Sequence, residues 1–543
     1  MAAPAAAPPG ERLAAIVRHN DETLRSALDR QNTDPESRWR GAIPDEFGLH
    51  EPGSASGILL RGVAALLHPQ SQFHGSAELV ERLRLAAEHL ARVQTPDGNF
   101  DLLITNFNSP PDTAFVMRNV CVAATLAREA GRSDLFERMA PTIRKAGAGI
   151  ARGGVHTPNH RWVVSAALAQ IHSLFPNPDY VRRIDQWLAE GIDIDSDGQF
   201  SEQSTTVYNA VTDDALTTIA LHLDRPALLE PVRRNLETML YLLHPNYEVV
   251  TSISKRQDRD VVGTMGRYWF SLRCLARKDG DGRFETLARA FEPQHASLAH
   301  LMAYPELRQP GPDPQPVPDS YERSFPQSDL VHIRRGETSA VILLEGRSRF
   351  FELRRGEAVV EAVRFASAFF GKGQFIPSRG FTREGAYRLE QELEAPYWQP
   401  FESRKQPWGV EAWHELRAER EQSEINRLRY AAEIRERAAG FDLRIEASGV
   451  DWIPLTVEIN LREGGQIEGV EAAPGADEAW VPAANEIRYS RNGDALTIGP
   501  AFAAHRYTQV RGAEPKLAGP SVYLTAYTPV DRTIELRWKK ATS

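Results

Sequence analysis

The chain has 543 residues, 42% of them hydrophobic and 25% charged, and its formal net charge is −9. This composition is that of an ordinary globular protein, and the length predicts two large domains or three smaller ones. No Lys/Arg run of the nucleic-acid-binding type occurs, and no stretch is apolar enough to span a bilayer. We therefore expect neither a nucleic-acid partner nor a membrane anchor. The sequence leaves the oligomeric state open.

The cysteine content and the N-terminus bear on cellular location. Cys121 and Cys274 are the only cysteines, and both lie in apolar helical sequence, so we expect buried free thiols and no disulfide framework. The segment Met1–Gly10 has neither a basic start nor an apolar core, and is therefore not typical of a signal peptide. As written, the sequence predicts a cytoplasmic protein; a periplasmic or secreted one is expected if a leader was trimmed.

Helical periodicity dominates the first part of the chain, from residue 11 to residue 303. Apolar residues recur there at helical spacing, and clusters of Gly, Pro, Asn and Asp interrupt them. We predict roughly ten or eleven helices, two of them over Val261–Ala276 and Phe284–Leu301. Paired helices in this number close into a toroid or stack into a solenoid, and the lack of a fixed-period repeat favours a toroid over residues 1–305.

A proline-rich segment, residues 306–320, follows the helical pattern and predicts a semi-rigid linker. From residue 321 to 543, alternating stretches such as Ala340–Leu344 predict an antiparallel β-sandwich. The charge-dense segment Glu411–Arg437 fits an amphipathic helix or long solvent-washed strands, and its context favours strands. The expected fold class is therefore α+β and multidomain, with an N-terminal (α/α) toroid followed by a C-terminal antiparallel β-sandwich.

The first candidate functional segment is Gly153-Gly154-Val155-His156-Thr157-Pro158-Asn159-His160, a polar loop that runs into a helix. Asn159 fits an N-cap, and in that interpretation His160 is an incidental surface residue. A cap alone needs neither the open Gly-Gly backbone nor the second imidazole of His156. We therefore treat Asn159 and His160 as candidate catalytic residues and His156 as a candidate substrate-binding residue.

The second candidate segment, Asp197–Tyr208, also leads into a helix. The Asp193-x-Asp195-x-Asp197-Gly198 run resembles the start of a calcium loop, but Ser204 stands at the twelfth position, where a bidentate Glu is needed. No metal site is predicted there. Glu202 is a candidate substrate-binding residue. Tyr208 is a candidate catalytic phenol, and its alternative role is a core anchor with a hydrated hydroxyl.

Two further polar loops carry Asn106 and Arg256, and Arg118 lies in the helix after the first of them. Because a toroid gathers such loops at one mouth, all three are candidate substrate-binding residues. Trp162 and Tyr268 could stack on sugar faces, with packing in the core as the alternative. Amide, imidazole and phenol groups together can remove a carbon acid's proton and protonate a leaving oxygen, which is the chemistry of a lyase.

Motifs for other chemistries are absent from the sequence. It contains no Gly-x-Gly-x-x-Gly, P-loop, His-Glu-x-x-His or Gly-x-Ser-x-Gly motif. His332, His414 and His505 are scattered, without the spacing of metal ligands. We therefore expect no cofactor and no metal.

At these residues the chain resembles the heparinase II/III-like polysaccharide lyases, including their alginate-lyase-like branch. Asn159-His160 is similar to the family's Asn-His pair before a helix, and Tyr208 to its catalytic tyrosine in the following helical segment. The resemblance implies a toroid with a sandwich, and a uronate-containing glycan as the substrate. It further implies that Asn159 hydrogen-bonds the uronate carboxylate, that Tyr208 protonates O4, and that His160 or Tyr208 takes the C5 proton.

The chain departs from this family in its second domain. Many members carry a His-Gly-His-x-Asp-like stretch on an early sandwich strand, whereas residues Arg349–Gly356 contain no histidine. Either His332 or His414 replaces that histidine, or the toroid residues act alone.

The expected reaction is β-elimination at a uronic acid, which leaves a C4–C5 unsaturated end. One alternative is a glycoside hydrolase on the same scaffold, with paired carboxylates drawn from Asp112, Asp213, Asp214 and Glu202. The other is a non-catalytic carbohydrate-binding protein. The sequence assigns neither the glycan nor the endo or exo mode.

Overall fold

The computed structural model describes residues 9–401 and 409–538. The chain divides into two compact units, Met1–Pro318 and Asp319–Ser543. The first is a helical toroid and the second is a β-sandwich, so the predicted fold class is confirmed. No helix in the described part of the chain is long and apolar enough to cross a bilayer.

Twelve α-helices lie between residues 9 and 303, a stretch that is described without gaps. They are α1 (Pro9–Arg30), α2 (Pro52–Leu67), α3 (Ala77–Val93), α4 (Pro110–Glu129), α5 (Ser133–Arg152), α6 (Pro158–Leu174), α7 (Pro178–Ala189), α8 (Tyr208–His222), α9 (Leu229–Met239), α10 (Trp269–Asp279), α11 (Gly282–His295) and α12 (Leu298–Ala303). A short hairpin, β1 (Phe100–Leu102) with β2 (Asn106–Ser109), precedes α4.

Burial separates an inner ring of helices from an outer one. Nearly all of α6 is buried, whereas only Tyr180 and Ile184 are buried in α7. A helix buried on most sides lies in the interior, and one with a single apolar stripe covers it. The inner helices α2, α4, α6 and α8 pack side by side, α1 packs against α11, and α12 contacts both α2 and α4. The contacts of α11 with α1 and of α12 with α2 join the end of this unit to its beginning, as expected for a toroid.

Two predicted helices begin or end differently in the structure. The helix expected over Val261–Ala276 begins as a 3-10 turn at Met265, because the Thr264 hydroxyl accepts a hydrogen bond from the Gly266 amide and caps that turn. The helix expected over Phe284–Leu301 is broken after His295. Ser297 then caps α12 by accepting from the His300 amide. The predicted burial of Cys121 and Cys274 as free thiols is confirmed.

The second unit contains seventeen strands and one α-helix within residues 319–401 and 409–538. The strands are β3 (Ser320–Phe325), β4 (Leu330–Arg335), β5 (Thr338–Leu343), β6 (Phe351–Arg355), β7 (Ala358–Ser367), β8 (Arg379–Arg383), β9 (Ala386–Trp398), β10 (Gln422–Arg437), β11 (Gly440–Ser448), β12 (Pro454–Leu461), β13 (Gln466–Glu468), β14 (Val470–Ala472), β15 (Ala479–Pro482), β16 (Ile487–Arg491), β17 (Asp494–Gly499), β18 (Ser521–Tyr527) and β19 (Val530–Arg537). The helix is α13 (Gly409–Leu416).

The strands form two stacked sheets. One has the order β13-β16-β17-β19-β11-β10-β9-β8 and the other β14-β15-β18-β12-β7-β6-β5-β4-β3. Aromatic side chains of the two sheets meet in one core: the Phe351 and Phe441 rings lie 5.4 Å apart, and those of Phe365 and Tyr430 lie 5.3 Å apart. The pairing is antiparallel except between β15 and β18, which pair in parallel.

The charge-dense segment Glu411–Arg437 is only partly extended, so the prediction of strands throughout is wrong at its start. Glu411 to Leu416 belong to α13, which buries no residue. Its Trp413 ring instead lies 4.0 Å beneath the Arg420 guanidinium. The remainder forms β10, which pairs with β9 and β11. Its burial alternates at Leu428 and Tyr430, as expected for a strand with one face on the core.

Buried histidines make the stability of the helical unit sensitive to acid. Burial lowers the pKa of His160, His222 and His300 to about 4. An unfolded histidine titrates near 6.5, so between about pH 4 and 6.5 the unfolded chain binds more protons than the folded one. The stabilisation is complete above that window and is lost as the pH falls through it.

We expect His222→Gln to weaken this pH dependence. His222 lies 3.0 Å from the Tyr304 hydroxyl and 2.8 Å from that of Ser173, and a glutamine amide can occupy both positions without titrating. Urea unfolding at pH 7.5 and 5.0 should show that the variant loses less stability than the wild type, by on the order of 1–2 kcal/mol. Equal losses in both proteins would contradict the assignment.

Candidate active site

Three segments meet at one rim of the toroid, where they precede or begin inner helices. They are the start of α6, the loop before α8, and the loop of residues 254–258. The Asn159 amide donates to Glu202 across 2.6 Å, and the Lys255 backbone amide donates to the Glu202 carbonyl across 3.0 Å. The polar loops that the sequence singles out are therefore in direct contact.

Glu202 is a buried carboxylate held between an amide and a guanidinium. Its Oε2 accepts from Asn159 Nδ2, and its Oε1 lies 3.3 Å from Arg256 Nε. Burial raises the pKa of Glu202, while the Asn159 hydrogen bond and the Arg256 charge partly oppose that rise. The Asn159 amide also lies 3.3 Å from the Thr157 hydroxyl, so both of its hydrogens have protein partners.

Tyr208 is the first residue of α8, and its hydroxyl is oriented by the 254–258 loop. Gln257 Nε2 donates to the phenol oxygen across 2.6 Å, and the Arg256 guanidinium lies 4.9 Å from the ring centroid. The Tyr208 side chain remains partly exposed. A phenol that accepts a hydrogen bond in this way keeps its own O–H proton available for another acceptor.

His160 lies beside His156 and Phe115 at the start of α6. Its ring meets that of His156 edge-on at 4.7 Å and that of Phe115 at 6.1 Å. Burial lowers the pKa of His160 to about 4; His156 and Arg256 add smaller effects in the same direction, and Asp112 opposes them. The imidazole is therefore neutral at physiological pH. Its Nδ1 is buried without a hydrogen bond to any residue that the structure describes.

Asp258, which the sequence analysis missed, fixes the two loops that carry Tyr208 and Arg256. Its carboxylate accepts from the hydroxyls of Ser204, Thr206 and Ser254 at 2.9, 2.8 and 2.5 Å, and from the Thr206 amide at 3.2 Å. Burial would raise the pKa of Asp258, but these hydrogen bonds outweigh it and hold the pKa below its ordinary value. No sequence signal separates this aspartate from other loop aspartates.

Asn106 and Arg118 lie on the α4 side of the rim. Asn106 Nδ2 donates to Asp112 across 2.9 Å, so this amide helps to fix the first turn of α4. Arg118 lies two turns further along the helix, and its Nη2 is 3.5 Å from the Thr218 hydroxyl. It therefore lies deeper in the toroid than Asn159 or Tyr208.

Trp162 and Tyr268 are not available to stack on a sugar, so that prediction is wrong. Both side chains are 0% exposed. Trp162 Nε1 donates to Asp193 across 3.1 Å, and the Tyr268 hydroxyl donates to the Thr205 carbonyl across 2.7 Å. Each ring packs in the core with its polar atom satisfied, which is the alternative that the sequence left open.

The remaining candidates are placed as follows. Asp193 accepts from Arg161, Trp162 and Ser201, which accounts for the acidic run as a structural turn. Within residues 9–401 and 409–538, no group of three or more His, Cys, Asp or Glu side chains could hold a metal ion. Asp213 is 0% exposed and so cannot reach a substrate. His332 and His414 belong to the second unit, in β4 and α13.

The fold is similar to that of known polysaccharide lyases. The chondroitin AC lyase of Streptomyces coelicolor A3, solved with chondroitin sulphate, matches over 99% of this chain and 80% of its own, with a TM-score of 0.59 and 13% identity. A Paenibacillus xanthan lyase matches over 98% of this chain and 57% of its own, with a TM-score of 0.57 and 12% identity.

The sequence itself has no such match. No family model matches the chain, and no curated protein matches its sequence. The structural neighbours share the arrangement of a helical toroid with a β-sandwich, and they do not specifically indicate the heparinase II/III-like family. At this level of identity the likeness shows the fold, and the chemistry has to be argued from the site.

We expect Asp258→Asn to loosen the site. The amide nitrogen of asparagine cannot accept from the Thr206 amide or from the clustered hydroxyls, so the free energy of unfolding should fall by about 1–3 kcal/mol. Hydrogen exchange at the amides of residues 204–208 should accelerate. Asp179→Asn, on the exposed start of α7, is the matched control and should stay within about 0.5 kcal/mol of wild type. Unchanged exchange at residues 204–208 in Asp258→Asn would contradict the role of Asp258.

Proposed function

We propose that this protein is a polysaccharide lyase that cleaves a uronate-containing glycan by β-elimination. The observation that carries the proposal is the Arg256 guanidinium, which Glu202 anchors and which lies 4.9 Å from the centroid of the Tyr208 ring. A guanidinium beside a phenol suits the carboxylate and the leaving oxygen of a uronic-acid glycan. That the structural neighbours are lyases of chondroitin and xanthan supports this choice.

Arg256 is better placed than Asn159 to bind the uronate carboxylate. Neither of its terminal nitrogens hydrogen-bonds to a residue in the described ranges, and a guanidinium binds a carboxylate through two parallel hydrogen bonds. Because the Asn159 amide is already engaged, Asn159 acts through Glu202, which anchors Arg256. Neutralising the uronate carboxylate stabilises the charge that develops when the C5 proton leaves.

In the proposed reaction two side chains move the protons. Neutral His160 takes the C5 proton, the electrons of the C5–H bond form the C4–C5 double bond, and the C4–O4 bond breaks. Tyr208 gives its phenolic proton to O4; because the phenol oxygen accepts from Gln257, this proton is not used in that hydrogen bond. Whether Tyr208 also serves as the base depends on whether the sugar presents C5–H and O4 on the same face.

A glycoside hydrolase is the second candidate, because the raised pKa of Glu202 suits a general acid. Its partner carboxylate would come from Asp112 at the same rim or from Asp214. Such an enzyme would create new reducing ends without creating a double bond.

The first test is ultraviolet absorbance during incubation with a panel of uronate glycans. We expect an increase at the wavelength of the unsaturated uronate for the wild type, and a loss of at least roughly 100-fold in rate for Tyr208→Phe, which lacks the proton donor. Tyr180→Phe, on the outer helix α7, is the control and should keep the wild-type rate. New reducing ends without absorbance would favour the hydrolase, and near-normal turnover by folded Tyr208→Phe would refute the assignment of the acid.

The pH dependence of kcat/KM tests the base. His160 accepts a proton only when neutral, and its pKa is about 4, so activity should be constant from neutral pH to about pH 5 and fall below it. His160→Gln should lose most of its activity and this acid limb. A rate that instead rises steadily toward alkaline pH, and persists in His160→Gln, would assign the base to Tyr208.

A further inference from the structure

A cavity of about 470 Å³ lies inside the toroid, along the helices that carry the candidate site. Its size is within the range of small-ligand pockets. The partly exposed positions of α4 include Asp112, Phe115 and Arg118, and those of α8 include Tyr208, Val211 and Asp214. Positions three apart share one face of a helix. The cavity is lined by Phe115 and Arg118 of α4 and by Val211 and Asp214 of α8. The same faces of these two helices carry Asp112 and Tyr208 at the rim.

The cavity therefore begins next to the proposed reaction centre. Phe115 contacts His160 as well as lining the cavity. Six residues separate Tyr208 from Asp214, which is about 9 Å along the helix axis. That length leaves room for at least one sugar unit, so a glycan whose glycosidic oxygen lies at Tyr208 could extend to a terminal unit beside Asp214.

The polar groups of the cavity match an acidic sugar. No carboxylate oxygen of a described residue lies within 4.0 Å of the Arg118 guanidinium, and its one hydrogen bond, to Thr218, is 3.5 Å long. Arg267, at the cavity edge, is exposed and forms no ion pair in the described chain. Asp214 accepts from the Ser271 hydroxyl through Oδ1, which leaves Oδ2 for a sugar hydroxyl. Arg118 and Arg267 outnumber the Asp214 carboxylate that faces Arg118, which favours an anionic ligand with hydroxyl groups.

Aromatic side chains complete the lining. Phe115, Trp269 and Phe270 all border the cavity, and such rings pack against the apolar faces of sugars. Trp269 is 3% exposed, and its Nε1 is buried with no hydrogen-bond partner among the residues that the structure describes. This donor is an unfilled position for an oxygen of the ligand.

The cavity is bordered by the start of α12. Ser297 and His300 of this helix face the cavity, whereas Leu298, Leu301 and Met302 line a separate cavity. The His300 ring stacks on the Tyr304 ring at 5.8 Å, and the Phe270 ring packs against Tyr304 at 5.2 Å. We infer that this packed layer stops a glycan from passing beyond α12.

We propose that this cavity binds the terminal hexuronate of the substrate, so that the enzyme cleaves the glycan from a chain end. Arg118 and Arg267 bind its carboxylate, Asp214 accepts from a hydroxyl, and Trp269 donates through Nε1. The inference rests on the proposed function, and it adds the mode of attack and the residues that select the terminal unit.

Binding of monosaccharides tests the cavity without requiring turnover. Saturation-transfer NMR would use glucuronate, galacturonate, mannuronate and guluronate, with glucose as the uncharged counterpart. We expect at least one hexuronate to bind the wild type more strongly than glucose does. Binding should weaken at least tenfold in Arg118→Gln, which removes the charge, and in Val211→Phe, which fills the cavity. Arg128→Gln, near the other end of α4, is the matched control and should bind as the wild type does.

The outcomes separate this inference from the proposed function. If no hexuronate binds the wild type, or if folded Arg118→Gln and Val211→Phe bind normally, the cavity assignment is wrong whatever the lyase assay shows. If binding depends on Arg118 but no glycan yields ultraviolet absorbance, the cavity assignment holds and the lyase proposal fails. With a glycan that is cleaved, small unsaturated products should appear from the first time points, and an early ladder of long fragments would overturn attack from a chain end.

Discussion

The candidate site depends on one buried carboxylate that holds two loops together. Asp258 accepts hydrogen bonds from both sides, from Ser204 and Thr206 before α8 and from Ser254 in its own loop. A buried charge is tolerated only when its oxygens are satisfied, so each of these donors is constrained in turn. This cluster fixes the position of Tyr208 relative to Arg256 and Gln257. Asp258 does so through Ser204, Thr206 and Ser254, so its role is to position the site.

Burial then gives neighbouring polar groups different protonation states. His160 is kept neutral because an imidazolium would lose its hydration beside Phe115 and His156, whereas the pKa of Glu202 is raised for the same reason. Desolvation disfavours the charged form of either group. A proton acceptor, a phenol and a guanidinium thus coexist at one rim. The inner helices supply this low-dielectric environment because they are buried on almost all sides.

The fold of this protein is less specific than its candidate site. A toroid with a sandwich is shared with lyases at 12–13% identity, since many sequences satisfy the same pattern of burial. Side chains at the mouth and in the cavity are not fixed by that pattern. The proposed lyase activity therefore depends on Glu202, Arg256 and Tyr208. The proposed cleavage from a chain end depends on α12, which borders the cavity.

The sequence by itself determined the two kinds of secondary structure, their order, and the polar loops that hold Asn159, His160 and Tyr208, because periodicity and loop composition are local properties. It could not identify Asp258 or Gln257, and it placed Trp162 and Tyr268 wrongly. Only the tertiary structure decided these points, since Asn159 meets Glu202 across 43 residues of chain and Tyr208 meets Gln257 across 49. The burial of a side chain and its hydrogen-bond partners depend on packing between distant segments, which produces no periodic pattern in the sequence.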